Sequence, residues 1–205
     1  MSHVSSNSPA YQLCGQLCDS TLELKSKDIP LSLRIPTSKD IPTLLDLLGN
    51  KANSEFDKSI SEATTEDLES IAKRWTIISD PPTYRNFLIW HEEKPVGIAG
   101  LGWIGPCNKD QPEDGSRAGA AGVMVQPSAR GKGYAYEALR MVFDYGFREL
   151  GLQEIRVGSH SGNVPMRALM EQKFGLKTEI SSGADEVDRF GNDYEWIIAQ
   201  QDWTV

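Results

Sequence analysis

Arg130, Gly131, Lys132 and Gly133 stand in a row between the apolar string Gly122-Val123-Met124-Val125 and a long amphipathic run that opens at Tyr134 and Ala135. Glycines without a Cβ let a backbone come close to a ligand. A bend that leads into a helix leaves several N–H groups without intrahelical acceptors, beside the positive end of the helix dipole. Arg130 and Lys132 add charge-assisted donors. Such a group suits a phosphate or pyrophosphate, although the same four residues also fit an exposed, solvated turn. The spacing is neither GxxxxGK(S/T) nor GxGxxG, so the two common nucleotide-binding motifs lack their residues.

The elements around this bend must position it. Met1 to about Asp28 mixes Ser, Asn, Gly and short apolar pieces without a period and reads as a flexible or loosely docked extension. One domain is then expected over 29–205, since 205 residues with 39% hydrophobic side chains fill a single core better than two. Leu31 to Ile35 is a short strand pattern. In SKDIPTLLDLLGN, Ile41, Leu44, Leu45 and Leu48 share a helical face, and in TTEDLESIAKRW so do Leu68, Ile71, Ala72 and Trp75, with Thr64 placed to cap against Asp67. Asn86 to Ile104 reads as a hairpin around the charged turn HEEKP, a loop over Gly105 to Ser116 follows, and Ala118 to Val125 reads as a buried strand. After the bend, Ala138, Met141, Val142, Tyr145 and Leu150 mark the inner face of a long helix. EIRVGSH then gives a strand, and Asn163 with Pro165 opens another helix.

Bulk properties exclude several functions. The formal charge of −8 repels nucleic-acid phosphates and favours cationic partners only weakly. No run reaches the roughly 20 apolar residues that cross a bilayer, and the first twenty residues lack an apolar targeting core, so a soluble cytoplasmic chain without a membrane role is expected. Cys14, Cys18 and Cys107 lack a second ligand pair for zinc and read as reduced thiols; no metal is expected.

Arg130-x-x-Gly133-x-Ala135 after the strand GVMV resembles the acyl-CoA pyrophosphate loop of the GNAT N-acetyltransferase superfamily, and the likeness runs from about Leu31 to Val205. EIRVGSH followed by Ser161-Gly162-Asn163 resembles the superfamily's second CoA-contacting strand and asparagine. The ending GNDYEWIIAQQDW is similar to the last hairpin strand of the RimJ/RimL ribosomal-protein N-terminal acetyltransferases. The resemblance implies the mixed α/β GNAT fold, with a strongly bent sheet whose strands near Val123–Val125 and Ile155–Ser159 splay around a pantetheine arm. It implies acetyl-CoA as the donor. Backbone amides of Met124 and Val125, on the strand with Val123, would hold acyl and pantetheine groups, and those of Arg130, Gly131, Lys132, Gly133, Tyr134 and Ala135 the pyrophosphate, with Asn163 contributing beside or instead of its helix-cap role. It also implies a primary amine as acceptor, either a protein or peptide N-terminus or a small amine such as a polyamine, amino sugar or antibiotic, on a monomer or homodimer.

The amine must lose a proton, and an α-amino group (pKa near 8) needs less help than an alkyl amine (near 10.4). Many members place a carboxylate on the strand before the loop, yet Ser116 to Val125 contains neither Asp nor Glu. His160 is the catalytic candidate for taking the proton through water, against a plain strand-end histidine; Tyr194 is the second, against wall packing. The position seven residues after Asn163, where some members carry a tyrosine acid, is Met170, which has no proton to donate. Trp75, Tyr84, Phe87 and Trp103 fit either an acceptor pocket or core. A non-catalytic acyl-CoA sensor and a nucleotide-binding regulator are the competing readings.

Overall fold

The computed structural model describes residues 8–17, 19–108, 110, 114–177, 179–180 and 190–204. Along the chain these form β1 (Tyr11–Cys14), β2 (Glu23–Ser26), β3 (Leu31–Arg34), α1 (Ile41–Gly49), α2 (Lys58–Ser61), α3 (Thr65–Trp75), β4 (Arg85–His91), β5 (Lys94–Pro106), β6 (Arg117–Val125), α4 (Tyr134–Arg148), β7 (Glu154–Ser159), α5 (Val164–Ala168), β8 (Glu179–Ile180) and β9 (Tyr194–Ala199). The strands make one sheet in the order β1-β2-β3-β4-β5-β6-β7-β9-β8. Every neighbouring pair is antiparallel except β6 and β7, which run parallel.

Side chains alternate across the strands, so each half of the pattern needs its own cover. α1, α2 and α3 pack over Leu88 and Ile98 on one face, here the front. α4 packs over Phe87, Leu101, Ile155, Val157 and Trp196 on the back, joined there by Met166 of α5. Local signals set the ends of these elements. Thr64 and Asp67 exchange both bonds of a capping box at α3, as their spacing predicts. The hairpin turns on Glu92 and Glu93, with Glu92 at φ 55°. α1 buries Leu44, Leu47 and Leu48, whereas Leu45, expected on that face, is only half-buried. β5 runs on to Pro106, which shortens the expected loop.

The expected loosely docked extension does not describe residues 10–26. β1 and β2 are sheet strands, and Leu22 and Leu24 are buried. Two buried acids of α4 pin this region. Asp144 accepts from the Ala10 N–H at 2.7 Å, from Arg148 Nε at 2.6 Å and from Trp203 Nε1 at 3.2 Å. Glu137 accepts from the Ser26 hydroxyl and from Arg140, and Arg140 also pairs with Asp28. The first seven residues of that extension, and Cys18, lie outside the described residues.

Tyr11 donates its hydroxyl to Glu149 at 3.1 Å. Burial first, then the neighbouring Glu149 carboxylate, pushes the phenol well above its ordinary pKa. An unfolded tyrosine ionises near pH 10, so the stability tied to this group is intact below that pH and lost as the pH rises above it. Melting temperature should therefore fall from about pH 10 upward, and Tyr11→Phe should flatten that fall while lowering stability near neutrality by about 1 kcal/mol.

Candidate active site

β6 and β7 pair over only three residues, Ala118 to Ala120 against Glu154 to Arg156. β6 then continues to Val125 alongside β5, and β7 to Ser159 alongside β9. The sheet thus forks beyond Ala120, and the inner edges of the two strands have no ladder between them. Hydrogen-bond direction on β6 follows from its register with β5. Gln126 N–H donates to Val96 O at 3.0 Å, so the Val125–Gly97 pair is a non-hydrogen-bonded one and Met124 is bonded to Ile98. The main-chain groups of Val123 and Val125 therefore face the fork, and those of Met124 face β5. Of the two amides expected to hold acyl and pantetheine groups, Met124's is committed to the ladder, and on that strand it is Val123 and Val125 whose amides face the fork. That alternation is a property of register, which the string GVMV does not reveal.

At the end of β6 a 3₁₀ turn over Pro127–Ala129 leads into the bend. Gly131 and Gly133 adopt φ 75° and 81°, in the left-handed region that side chains disfavour, and Gly133 is the N-cap of α4. The amides of Gly131 to Tyr136 find no acceptor among the described residues. They lie at the positive end of a 15-residue helix. Lys132 is exposed at this cradle, Ala135 is half-buried against the core, and Tyr134 is buried and stacks on His91 at 4.8 Å. Arg130 differs from expectation. Its guanidinium donates to Val125 O at 2.9 Å and to Ala52 O, tying the bend to β6 and to the segment after α1. It shapes the loop as much as it charges it.

The second strand's groups gather at the open end of β7. Asn163 caps α5, accepting from Met166 N–H at 3.2 Å, and its own N–H donates to His160 O at 2.8 Å. His160 stacks at 6.1 Å on Phe56, in the segment before α2, a contact distant in sequence that no local pattern announces. Its Nδ1 accepts the Gly162 N–H at 2.9 Å. A neutral imidazole that accepts at Nδ1 carries its proton on Nε2, so its one lone pair is already used. Taking a proton from an amine would require breaking that turn. His160→Ala should therefore leave the acid limb of the kcat profile in place, with a loss of a few-fold from the disturbed turn; disappearance of that limb would make His160 the base.

Beside it, Asp193 accepts from the Ser161 N–H. Burial alone would raise its carboxyl, but the Ser161 bonds and the nearby His160 hold it below the usual range. Tyr194 pairs with Ser159 across β7 and β9 and lies partly buried on the back face, with Arg167 5.4 Å over its ring. Met170 is fully buried in the core, consistent with a side chain that donates nothing. Phe87 is core and lines no open pocket, and the half-buried Tyr84 donates its hydroxyl to Arg74 O at 2.7 Å. Among the described residues, no group of three or more His, Cys, Asp or Glu is placed to hold a metal, and no helix is long and apolar enough to cross a membrane.

The comparisons with known proteins give this fold a family. The profile of the family described as "Acetyltransferase (GNAT) domain" matches residues 31–177. The chain belongs to the GNAT acetyltransferase family. Among curated proteins it is 27% identical over 84 residues to the uncharacterized N-acetyltransferase YnaD of Bacillus subtilis (strain 168), a match that spans 40% of this chain and 49% of that one. The chain thus spans about half the length of that relative. Among solved structures, RimL, a ribosomal L7/L12 alpha-N-protein acetyltransferase in complex with coenzyme A, superposes with a TM-score of 0.67 at 16% identity, covering 85% of this chain and 96% of that one. Spermidine N-acetyltransferase from Vibrio cholerae, in complex with CoA and spermine, gives 0.65 at 18% identity, covering 84% and 97%. At these identities the structural likeness is one of fold.

Proposed function

We propose that this chain transfers the acetyl group of acetyl-CoA to a primary amine by direct attack in a ternary complex. The observation that carries this reading is the fork between β6 and β7, with the main-chain groups of Val123 and Val125 turned into it next to the amide cradle of Gly131–Tyr136. The pyrophosphate would rest on the cradle, with Lys132 adding charge and the Gly133, Tyr134 and Ala135 amides aimed at phosphate oxygens. The pantetheine arm would thread the fork past Asn163. An N–H preorganised at the thioester oxygen would stabilise the tetrahedral intermediate, an effect of about 3 kcal/mol per donor.

The acceptor we infer is an α-amino group of a protein or peptide. β6 carries no carboxylate and the His160 lone pair is engaged, so neither strips the amine before it attacks, which favours a substrate that is already substantially neutral near pH 8. The solved relatives include a protein N-terminal acetyltransferase, and one that carries spermine supports a small polyamine as the second reading.

The test is calorimetric titration with acetyl-CoA, then thiol release over a panel of N-terminal peptides and small amines. Micromolar binding with peptide turnover supports the reading. Polyamine turnover alone selects the second one. Binding without turnover on any amine would make the chain an acyl-CoA sensor, and no binding would overturn the function altogether.

A further inference from the structure

Three glycines lie side by side across the front face at the level of the fork. Gly100 pairs with Gly122 across β5 and β6, and continuing the register of Ala120 with Arg156 places Gly158 opposite Gly122 on the far side of the fork. Asn86 pairs with Gly100 at one end of the row, and Glu195 pairs with Gly158 at the other. The neighbouring residues Trp196 and Ile198 of β9 are buried on the back, so Glu195 is on the front, where its charge acts on Arg156.

The outer glycines have reasons within the fold. A Cβ on Gly100 would stand 2.8 Å from Asn86 Oδ1, and one on Gly158 would stand 2.7 Å from Asn192 Nδ2. Gly122 has none. A Cβ there would meet nothing within 4 Å, its φ is not left-handed, and the residue is exposed. Glycine weakens a strand wherever a side chain would fit, so an unexplained one marks a close approach by something else. A second observation lies in the same row. The Asn86 amide covers Gly100 beside Gly122, the residue is 8% exposed, and its Nδ2 has no partner. An orphaned donor of this kind is costly unless a bound group satisfies it.

Resting on the acetyl-transfer reading above, we propose that the space over Gly122 is the seat of the acceptor amine, which reaches the thioester from the front face, and that Glu195 receives the amine's proton through a water. Neighbouring strands are about 4.8 Å apart and the fork is wider, so a water must span the remaining distance. In the step, the amine nitrogen bonds to the acetyl carbon and the C–S bond breaks. The amine's proton passes to Glu195, and the thiolate takes a proton from solvent. A turn of the Asn86 amide about its last torsion would let it donate to a carbonyl of the acceptor. The Gly122 surface accommodates the carbon that bears the amine and any side chain on it, so this glycine sets how bulky that carbon is allowed to be.

The test uses the whole chain with acetyl-CoA and the best amine of the panel. Gly122→Val, which fills the open space, should leave acetyl-CoA affinity and melting temperature unchanged while raising the acceptor KM on the order of tenfold. Glu195→Gln should lower kcat roughly 100-fold and flatten its acid limb, and Glu195→Asp should restore part of both. Wild-type acceptor kinetics in Gly122→Val, or an unaltered pH profile in Glu195→Gln, would overturn the assignment while leaving acetyl transfer standing. A wild-type chain that turns over no amine overturns both.

Discussion

Gly133→Val should lose acetyl-CoA affinity roughly 100-fold or more, measured by titration calorimetry. Gly133 caps α4 at φ 81°, and a β-branched residue there is strained by about 1–2 kcal/mol. To relieve it the bend must turn, and the amides of Gly131 to Tyr136 then cease to converge on one anion. Losing one or two charge-assisted bonds of about 1.5–3 kcal/mol each gives the stated effect. The melting temperature should drop by only a few degrees, because α4 beyond its first turn is held by its buried face. Unchanged affinity would place the phosphates elsewhere, and a collapse of the whole fold would show as a loss of cooperative melting.

Asp144→Ala should cost about 3–4 kcal/mol of stability, read as a fall of roughly 6–16 °C in melting temperature. The carboxylate is fully buried and receives Ala10 N–H, Arg148 Nε and Trp203 Nε1. Its removal strands three donors at once, and each unsatisfied donor carries a penalty of about 1–3 kcal/mol, reduced for the partly exposed Arg148. Cofactor affinity should hold at temperatures where the variant is folded, since the cradle is at the other end of α4. A variant as stable as the wild type would mean that water replaces the carboxylate.

Much of this architecture is legible in the sequence. The Thr64–Asp67 cap, the HEEKP hairpin and the inner face of α4 at Ala138, Met141, Val142 and Tyr145 are local matters of spacing, and the chain obeys them. The bend at Arg130–Gly133 is legible through its context, Arg130-x-x-Gly133-x-Ala135 after the strand GVMV, since a glycine pair alone fits an exposed, solvated turn. The features that local pattern does not encode depend on distant partners. β1 and β2 are four residues each, too short for a period to emerge, and their burial is decided by acids on α4. The engagement of His160 with Gly162 and Phe56 is set by a turn and by a segment about a hundred residues earlier in the chain. Whether Met124 or Val123 faces the fork is a question of ladder register, on which the sequence is silent.

The junction at Asp144 also has a bearing on how the chain assembles in time. Ala10 is 134 residues from its acceptor, and Trp203 is 59 residues further along from it. At about 5–20 residues per second, synthesis brings Asp144 into being about 7–27 s after Ala10. During that interval β1 has no acid to bind and the apolar face of β2 is uncovered. A nascent chain halted before α4 should therefore be protease-sensitive throughout its first two strands and attract chaperones there, and the protection of those strands should arrive in a single late step. Contacts of such long sequence separation also slow refolding of the finished chain.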